Sequence, residues 1–260
     1  MACPTRRPIF SFLVVFILFC FVFDFHQGFG DAEKEFDYFV LSLLWPGTIC
    51  KQTTHCCESN ACCQSSYPLT QFTIHGLWAN YNDGSWPACC SGSDFDLNKI
   101  TSLVGTLERY WPFLTCNLFP VCHGGEGQFW AHEWEKHGTC SYPVVEDEFS
   151  YFSMTLDLYF KHNLTEILID AGYAPTSNGT TYALTNITTT IRNAVGSLPL
   201  FVCSDDTLEE LHICFYKDLK PRDCDMESSE GSCPAYISLP KFNPISDEGE
   251  TAIISSSSNT

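Results

Sequence analysis

Fourteen cysteines between Cys50 and Cys233 restrict what this chain can fold into more than any other feature. Such a large, even number of thiols implies a framework of up to seven bridges, provided the chain matures in an oxidising compartment. The N-terminus supplies that route. Arg6 and Arg7 precede an apolar run from Ile9 to Phe23, and small residues follow at Gly28 and Gly30. The run is too short and wrongly flanked to span a bilayer, so residues 1–30 read as a cleaved secretory signal that takes Cys3 and Cys20 with it. Sequons at Asn163, Asn178 and Asn186 fit the same route and belong at the surface if glycosylated. No second apolar stretch approaches membrane length, so the expected mature form is soluble, without a membrane anchor, and secreted or vacuolar.

Charge limits the partners. Without the leader the chain keeps eleven basic and thirty acidic residues, a formal charge of −19. That balance repels polyanions at neutral pH and low salt, so a nucleic-acid substrate requires a locally positive cleft. Mild acid helps by charging histidines and neutralising some carboxylates.

Hydropathy patterning gives the elements. Residues 36–44, FDYFVLSLL, read as a buried strand that ends in the turn-forming Trp45-Pro46-Gly47. Residues 72–78 read as a second strand, bounded by a turn at 80–84. Apolar side chains at Leu97, Ile100, Leu103, Val104, Leu107 and Trp111 have helical spacing, as do those over 147–169. Residues 122–127 read as a loop, 186–196 as a helix or turn, and 201–203 and 211–216 as strands. The polar tail over 241–260 is expected to be disordered. Strands and helices mix without a regular βαβ alternation, which favours one α+β domain over 31–240: a central, mainly antiparallel sheet flanked by helices.

The chemistry concentrates in one stretch, His132-Glu133-Trp134-Glu135-Lys136-His137-Gly138-Thr139-Cys140. On a helix, Lys136, Glu133 and His137 lie about 40°, 100° and 140° round from His132, so two imidazoles, a carboxylate and an ammonium share one face. Gly138 is a natural stop for that helix. The stretch differs from the zinc motif H-E-x-x-H, because Lys136 occupies the position of the second ligand and His137 comes one residue later. A cation there argues against a metal, and against a secreted zinc hydrolase. His75 supplies a further imidazole at the end of a strand, and Gly76 beside it leaves room for a ligand to approach the backbone.

With His75 in F-T-I-H-G-L-W and His137 in H-E-W-E-K-H-G-T-C, the chain resembles the ribonuclease T2 family of secreted acid ribonucleases, whose two active-site segments these are. The resemblance runs from about Phe36 to about Pro240. It is closest to the plant S-like branch, since the chain is acidic and keeps His132. It implies a metal-independent endoribonuclease with no cofactor, acting as a monomer on single-stranded RNA and not on DNA. The products implied are 2′,3′-cyclic phosphates, later hydrolysed to 3′-phosphates. His137 would be the general base and His75 the general acid. Lys136 and Glu133 would stabilise the five-coordinate phosphorane and His132 would hold the phosphate. The chemistry is coherent, because two imidazoles can be neutral and charged respectively near pH 5–7.

Trp78, Asn80, Trp86 and Phe129 match the family's base-binding positions. Ala79 stands where proline is usual, Trp86 where tyrosine is usual, and Leu43 and Leu44 where many plant members carry glutamines, which leaves base preference open. Family pairing implies bridges Cys50–Cys56, Cys57–Cys116, Cys90–Cys140, Cys203–Cys233 and Cys214–Cys224. Cys62, Cys63, Cys89 and Cys122 are extra, with room for two further bridges. His55, His123, His162 and His212 match no active-site motif and read as surface or structural residues. The alternative to an enzyme is an inert storage or defence protein on the same fold.

Overall fold

Two long strands near opposite ends of the chain pair to make the spine of the molecule. The computed structural model describes residues 34–63, 67–122, 125–225 and 233–244; the leader and the end of the tail lie outside the described residues, as does His123. Strand β1 (Tyr38–Leu44) pairs antiparallel with β2 (Thr73–Asn80) on one side and with β7 (Thr207–Tyr216) on the other. The far edge of β7 takes β6 (Leu200–Ser204) and β8 (Pro221–Arg222), both antiparallel. It also makes a single parallel contact with β9 (Tyr236–Ser238), which pairs with β5 (Thr181–Ala183). The result is a seven-stranded, mainly antiparallel sheet with β2 at one edge, in an α+β domain. A separate hairpin pairs β3 (Phe119–Val121) with β4 (Gly125–Gly127), which takes the second half of the segment read as a loop.

Alternation divides the sheet into two faces. Phe39, Leu41 and Leu43 of β1 and Leu211, Ile213 and Phe215 of β7 are fully buried in the main core with Trp111, Tyr151 and Phe152. Each such side chain contributes about 1.5–3 kcal/mol on burial. The intervening residues, among them Tyr38, Val40, Glu210, His212 and Cys214, face the other way and line a cleft.

The helices are α1 (Pro46–Ile49), α2 (Val104–Tyr110), α3 (Phe129–Lys136), α4 (Glu148–Lys161), α5 (Leu164–Asp170) and α6 (Leu184–Val195). Two expected helices are each broken in two. Residues 97–100 form a 3-10 turn whose Leu97 is exposed, and α2 starts only at Val104. The segment 147–169 divides because Asn163 caps a new helix, its Oδ1 accepting from the N–H of Glu166. The expected tail begins late: Lys241 donates its N–H to the carbonyl of Thr176, and Phe242 packs against the Cys50–Cys62 cluster.

Seven bridges are present, and they correct one expected pair. Cys50 joins Cys62, and Cys56 joins Cys63, so Cys50–Cys56 does not form. The segment doubles back through turns at residues 57–63, and the N–H of Ala61 bonds to the carbonyl of Phe113. That folds Cys62 onto Cys50, with Cα atoms 5.3 Å apart, well within bridging range. Cys57–Cys116, Cys90–Cys140, Cys203–Cys233 and Cys214–Cys224 pair as the resemblance implied, and Cys89–Cys122 completes the set. The three sequon asparagines are all exposed. No helix among the described residues is long and apolar enough to cross a membrane.

Candidate active site

A β-bulge sets the direction of His75. Strict alternation along β2 would put His75 on the side of Leu77 and Ala79, which are core residues. The β1–β2 pairing instead places Ser42 opposite Gly76 and Leu43 opposite Ile74, leaving His75 unpaired. The extra residue reverses the alternation, and His75 joins Trp78 and Asn80 on the cleft face. Two indoles hold the bulge from behind. Trp111 Nε1 donates to the His75 carbonyl at 2.8 Å, and Trp130 Nε1 donates to the Trp111 carbonyl at 2.9 Å.

Helix α3 brings the other half. Phe129, Trp130 and Trp134 anchor it in the core, which leaves His132, Glu133 and Lys136 for the cleft. The helix ends at Lys136; His137 is its C-cap, still right-handed, and the chain continues into a 3-10 turn from Gly138 to Ser141. Gly138 thus has a different reason from the expected left-handed stop. A methyl there would approach the Trp134 ring to 2.5 Å. Gly76 differs as well, since the Glu133 carboxylate and the Trp78 indole nitrogen already fill the space beside it. Cys90–Cys140 and Cys89–Cys122 staple the neighbourhood, and the Cys89 N–H donates to the Lys136 carbonyl at 3.0 Å.

The cleft, about 600 Å³, is lined by His75, His132, Glu133, Lys136 and His137 together. Trp78 neighbours both principal imidazoles, its ring 4.9 Å from that of His75 and 5.5 Å from that of His137. Asn80 and Trp86 line the same cleft, Trp86 at the rim with 60 % exposure. Phe129 does not. It is 6 % exposed, absent from the cleft wall, and packed against the rings of Phe113, Phe119 and His75.

Burial and charge split the protonation states. Desolvation opposes charge on His75, but a 2.9 Å hydrogen bond from Nδ1 to Glu210 Oε1 and the carboxylates of Glu210 and Glu133 outweigh it and raise its pKa. His137 goes the other way: burial, then the nearby Lys136, His132 and His75, lower its pKa to about 3. Burial pushes the Glu133 carboxyl up to about 7, although its Oε2 accepts a hydrogen bond from Trp78 Nε1 at 3.0 Å. His132 is lowered by burial, while its Nδ1 lies 2.6 Å from the Pro120 carbonyl. At mild acid pH the cleft therefore holds a charged imidazole at 75, a neutral one at 137 and a protonated carboxyl at 133.

Ligand-type atoms of His132, Glu133 and His137 come within 4.8 Å of one another, despite the unfavourable spacing. The donor set suits a metal poorly. His132 Nδ1 is committed to Pro120, Glu133 Oε2 to Trp78, and the Lys136 ammonium faces the same cleft.

Two cleft residues were not legible beforehand. His212, read as surface or structural, lines the cleft with its Nε2 3.2 Å from Glu210 Oε1. Glu210 itself receives His75 and matched no motif. The alternation of β7 puts both on the cleft face, but that face is recognisable only once β7 is seen beside β1. His162, read as surface or structural, is a buried helix cap against Phe215.

A model of the ribonuclease T2 family matches residues 36–224, most of the chain. The chain belongs to the ribonuclease T2 family. Ribonuclease 1 of Arabidopsis thaliana is 36% identical over 221 residues, covering 82% of this chain and 90% of the relative. Among solved structures, trichomaglin, described as an S-like ribonuclease, superposes with a TM-score of 0.74 at 43% identity, covering 80% of this chain and all of that one. RNase NT in complex with 5′-AMP gives 0.68 at 33% identity, again with 80% and 100% coverage. The family thus accounts for the T2 fold described above, and its plant S-like members are among the relatives of this chain.

Proposed function

We propose that this T2-family chain is a metal-independent acid endoribonuclease that cuts single-stranded RNA with low base specificity. The observation that carries the reading is one cleft in which His75 and His137, from separate elements, favour opposite protonation states. Groups whose environments push them apart in this way suit an acid and a base. His137, neutral, takes the proton of the 2′-hydroxyl as its oxygen attacks phosphorus. His75, charged, gives a proton to the departing 5′-oxygen. The Lys136 ammonium and the protonated Glu133 face the phosphorane oxygens, which carry the developing charge. His132 Nδ1 is tied to Pro120, so Nε2 holds the phosphate once the arriving anion favours its protonation. The product is a 2′,3′-cyclic phosphate, hydrolysed slowly to a 3′-phosphate.

DNA lacks the nucleophile and is not a substrate. No step calls for a metal, because imidazoles move the protons and lysine meets the charge. Trp78 and Trp86 offer ring faces to bases, worth about 1–3 kcal/mol each, and Asn80 supplies hydrogen bonds. Seven disulfides, the leader and the exposed sequons support secretion or delivery to the vacuole.

The test compares purified wild type with His75→Ala and His137→Ala on single-stranded RNA at pH 5 with a chelator present. Each substitution is expected to lower kcat/KM about 10²–10⁴-fold. Wild type that leaves RNA intact, or either variant matching wild type, contradicts the reading.

A further inference from the structure

The proposed scheme gives tasks to the cleft residues of β2 and α3 but none to those of β7. Yet His75, Glu210 and His212 line the cleft together, and Glu210 Oε1 is their common point. His75 Nδ1 lies 2.9 Å from that oxygen and His212 Nε2 3.2 Å from it, while Ser42 Oγ donates to the same atom from the adjacent strand. Ser42 stands directly opposite His212 in the β1–β7 pairing, so hydrogen bonds from His75 and Ser42 hold the carboxylate from two strands, while His212 Nε2 lies in ion-pair range of the same oxygen without a hydrogen bond. A carboxylate in this place is electrostatically adverse, because it repels the phosphate that the cleft must admit. Replacing such a buried group by an apolar one is often neutral or stabilising, so fold stability alone is a weak reason for it.

We propose that Glu210 is the positioning residue of the general acid His75, and that His212 tunes it by competing for the same carboxylate oxygen. The inference rests on the ribonuclease reading for the role of His75, but not for the contact itself. Holding Nδ1 fixes the imidazole's rotation and leaves Nε2 as the nitrogen that gives its proton to the leaving oxygen. The groups facing His75 are Glu210 and His212 from β7, and Glu133, Lys136, His132 and His137 from α3. Lys136, His132 and His137 are cationic or become so on protonation, and Glu133, which also favours charge on His75 when ionised, is largely protonated at mild acid pH. Glu210 is thus the anion that keeps a proton on His75. The His212 imidazole, beside the same oxygen, draws off part of that anion's effect. Loss of Glu210's charge and loss of His212 must therefore move His75 in opposite directions.

Histidine-labelled NMR titration of wild type, Glu210→Gln and His212→Phe tests this. Gln keeps an acceptor for Nδ1, and Phe keeps an edge for Trp78, whose ring lies 5.7 Å from His212. The midpoint of His75 is expected to fall by about one pH unit or more in Glu210→Gln and to rise in His212→Phe. On a dinucleoside phosphate at pH 6, Glu210→Gln should lower kcat about tenfold or more with KM little changed. On uridine 3′-(4-nitrophenyl phosphate), whose leaving group needs no proton, the loss should be much smaller. Unchanged midpoints, shifts of one sign in both variants, or equal losses on both substrates would overturn the proposal. If wild type cleaves neither substrate, the ribonuclease reading fails and the NMR midpoints alone decide the contact. If Glu210→Gln does not fold, the rise in His212→Phe remains the deciding observation.

Discussion

Glu133 shows how the role proposed for one residue comes at the expense of the fold. Its carboxyl is 1 % exposed, and burial raises its pKa to about 7 from the unfolded value near 4.5. The folded state therefore favours the proton. That stability is fully present below about pH 4.5 and is lost as the pH rises through about 7. Glu133→Gln, which keeps the acceptor for Trp78 Nε1, should raise stability by roughly 1–3 kcal/mol at pH 8 and scarcely at all at pH 4. It should also lower kcat. Thermal unfolding at the two pH values checks the first part; equal shifts at both would contradict it. The residues of the two active-site segments were legible because their motifs are contiguous. Glu210 and His212 were not, because the contact that gives them meaning joins residues 135 apart in sequence.

At the scale of elements, the bulge in β2 and the indoles behind it matter more than the strand itself. Strand runs at 36–44 and 72–78 were readable from their β-branched and aromatic residues. The bulge was not, since one unpaired residue leaves no mark in hydropathy. The divided helices and the Cys50–Cys62 bridge were missed for a related reason, because caps and tertiary folding override periodicity. Trp111→Phe tests the support of the bulge. It removes the N–H that meets the His75 carbonyl while keeping most of the core volume. We expect a loss of about 1–3 kcal/mol in unfolding free energy, and a kcat lowered about tenfold through displacement of His75. A variant with wild-type kcat would show that the bulge holds itself.

For the whole molecule, the α+β class was legible from the irregular mixture of elements, whereas the division of the sheet into a core face and a cleft face needed the pairing of β1, β2 and β7. The formal charge of the full chain at pH 7, −18, acts against the approach of a polyanion. Salt screens that long-range repulsion, with a Debye length of about 30 Å at 0.01 M and 10 Å at 0.1 M. Activity on RNA at pH 7 should therefore hold level or rise across that interval. A steep fall in kcat/KM over the same range would show that extended basic contacts, rather than a confined cleft, carry the binding. The most direct test of the acid–base account is the chemistry of the cut ends. RNA digested at pH 5 with chelator present and followed by ³¹P NMR should show a 2′,3′-cyclic phosphate first, later giving way to a 3′-phosphate, with 5′-hydroxyl ends. Fragments carrying 5′-phosphates, or cleavage that appears only when a divalent metal is restored, would contradict it.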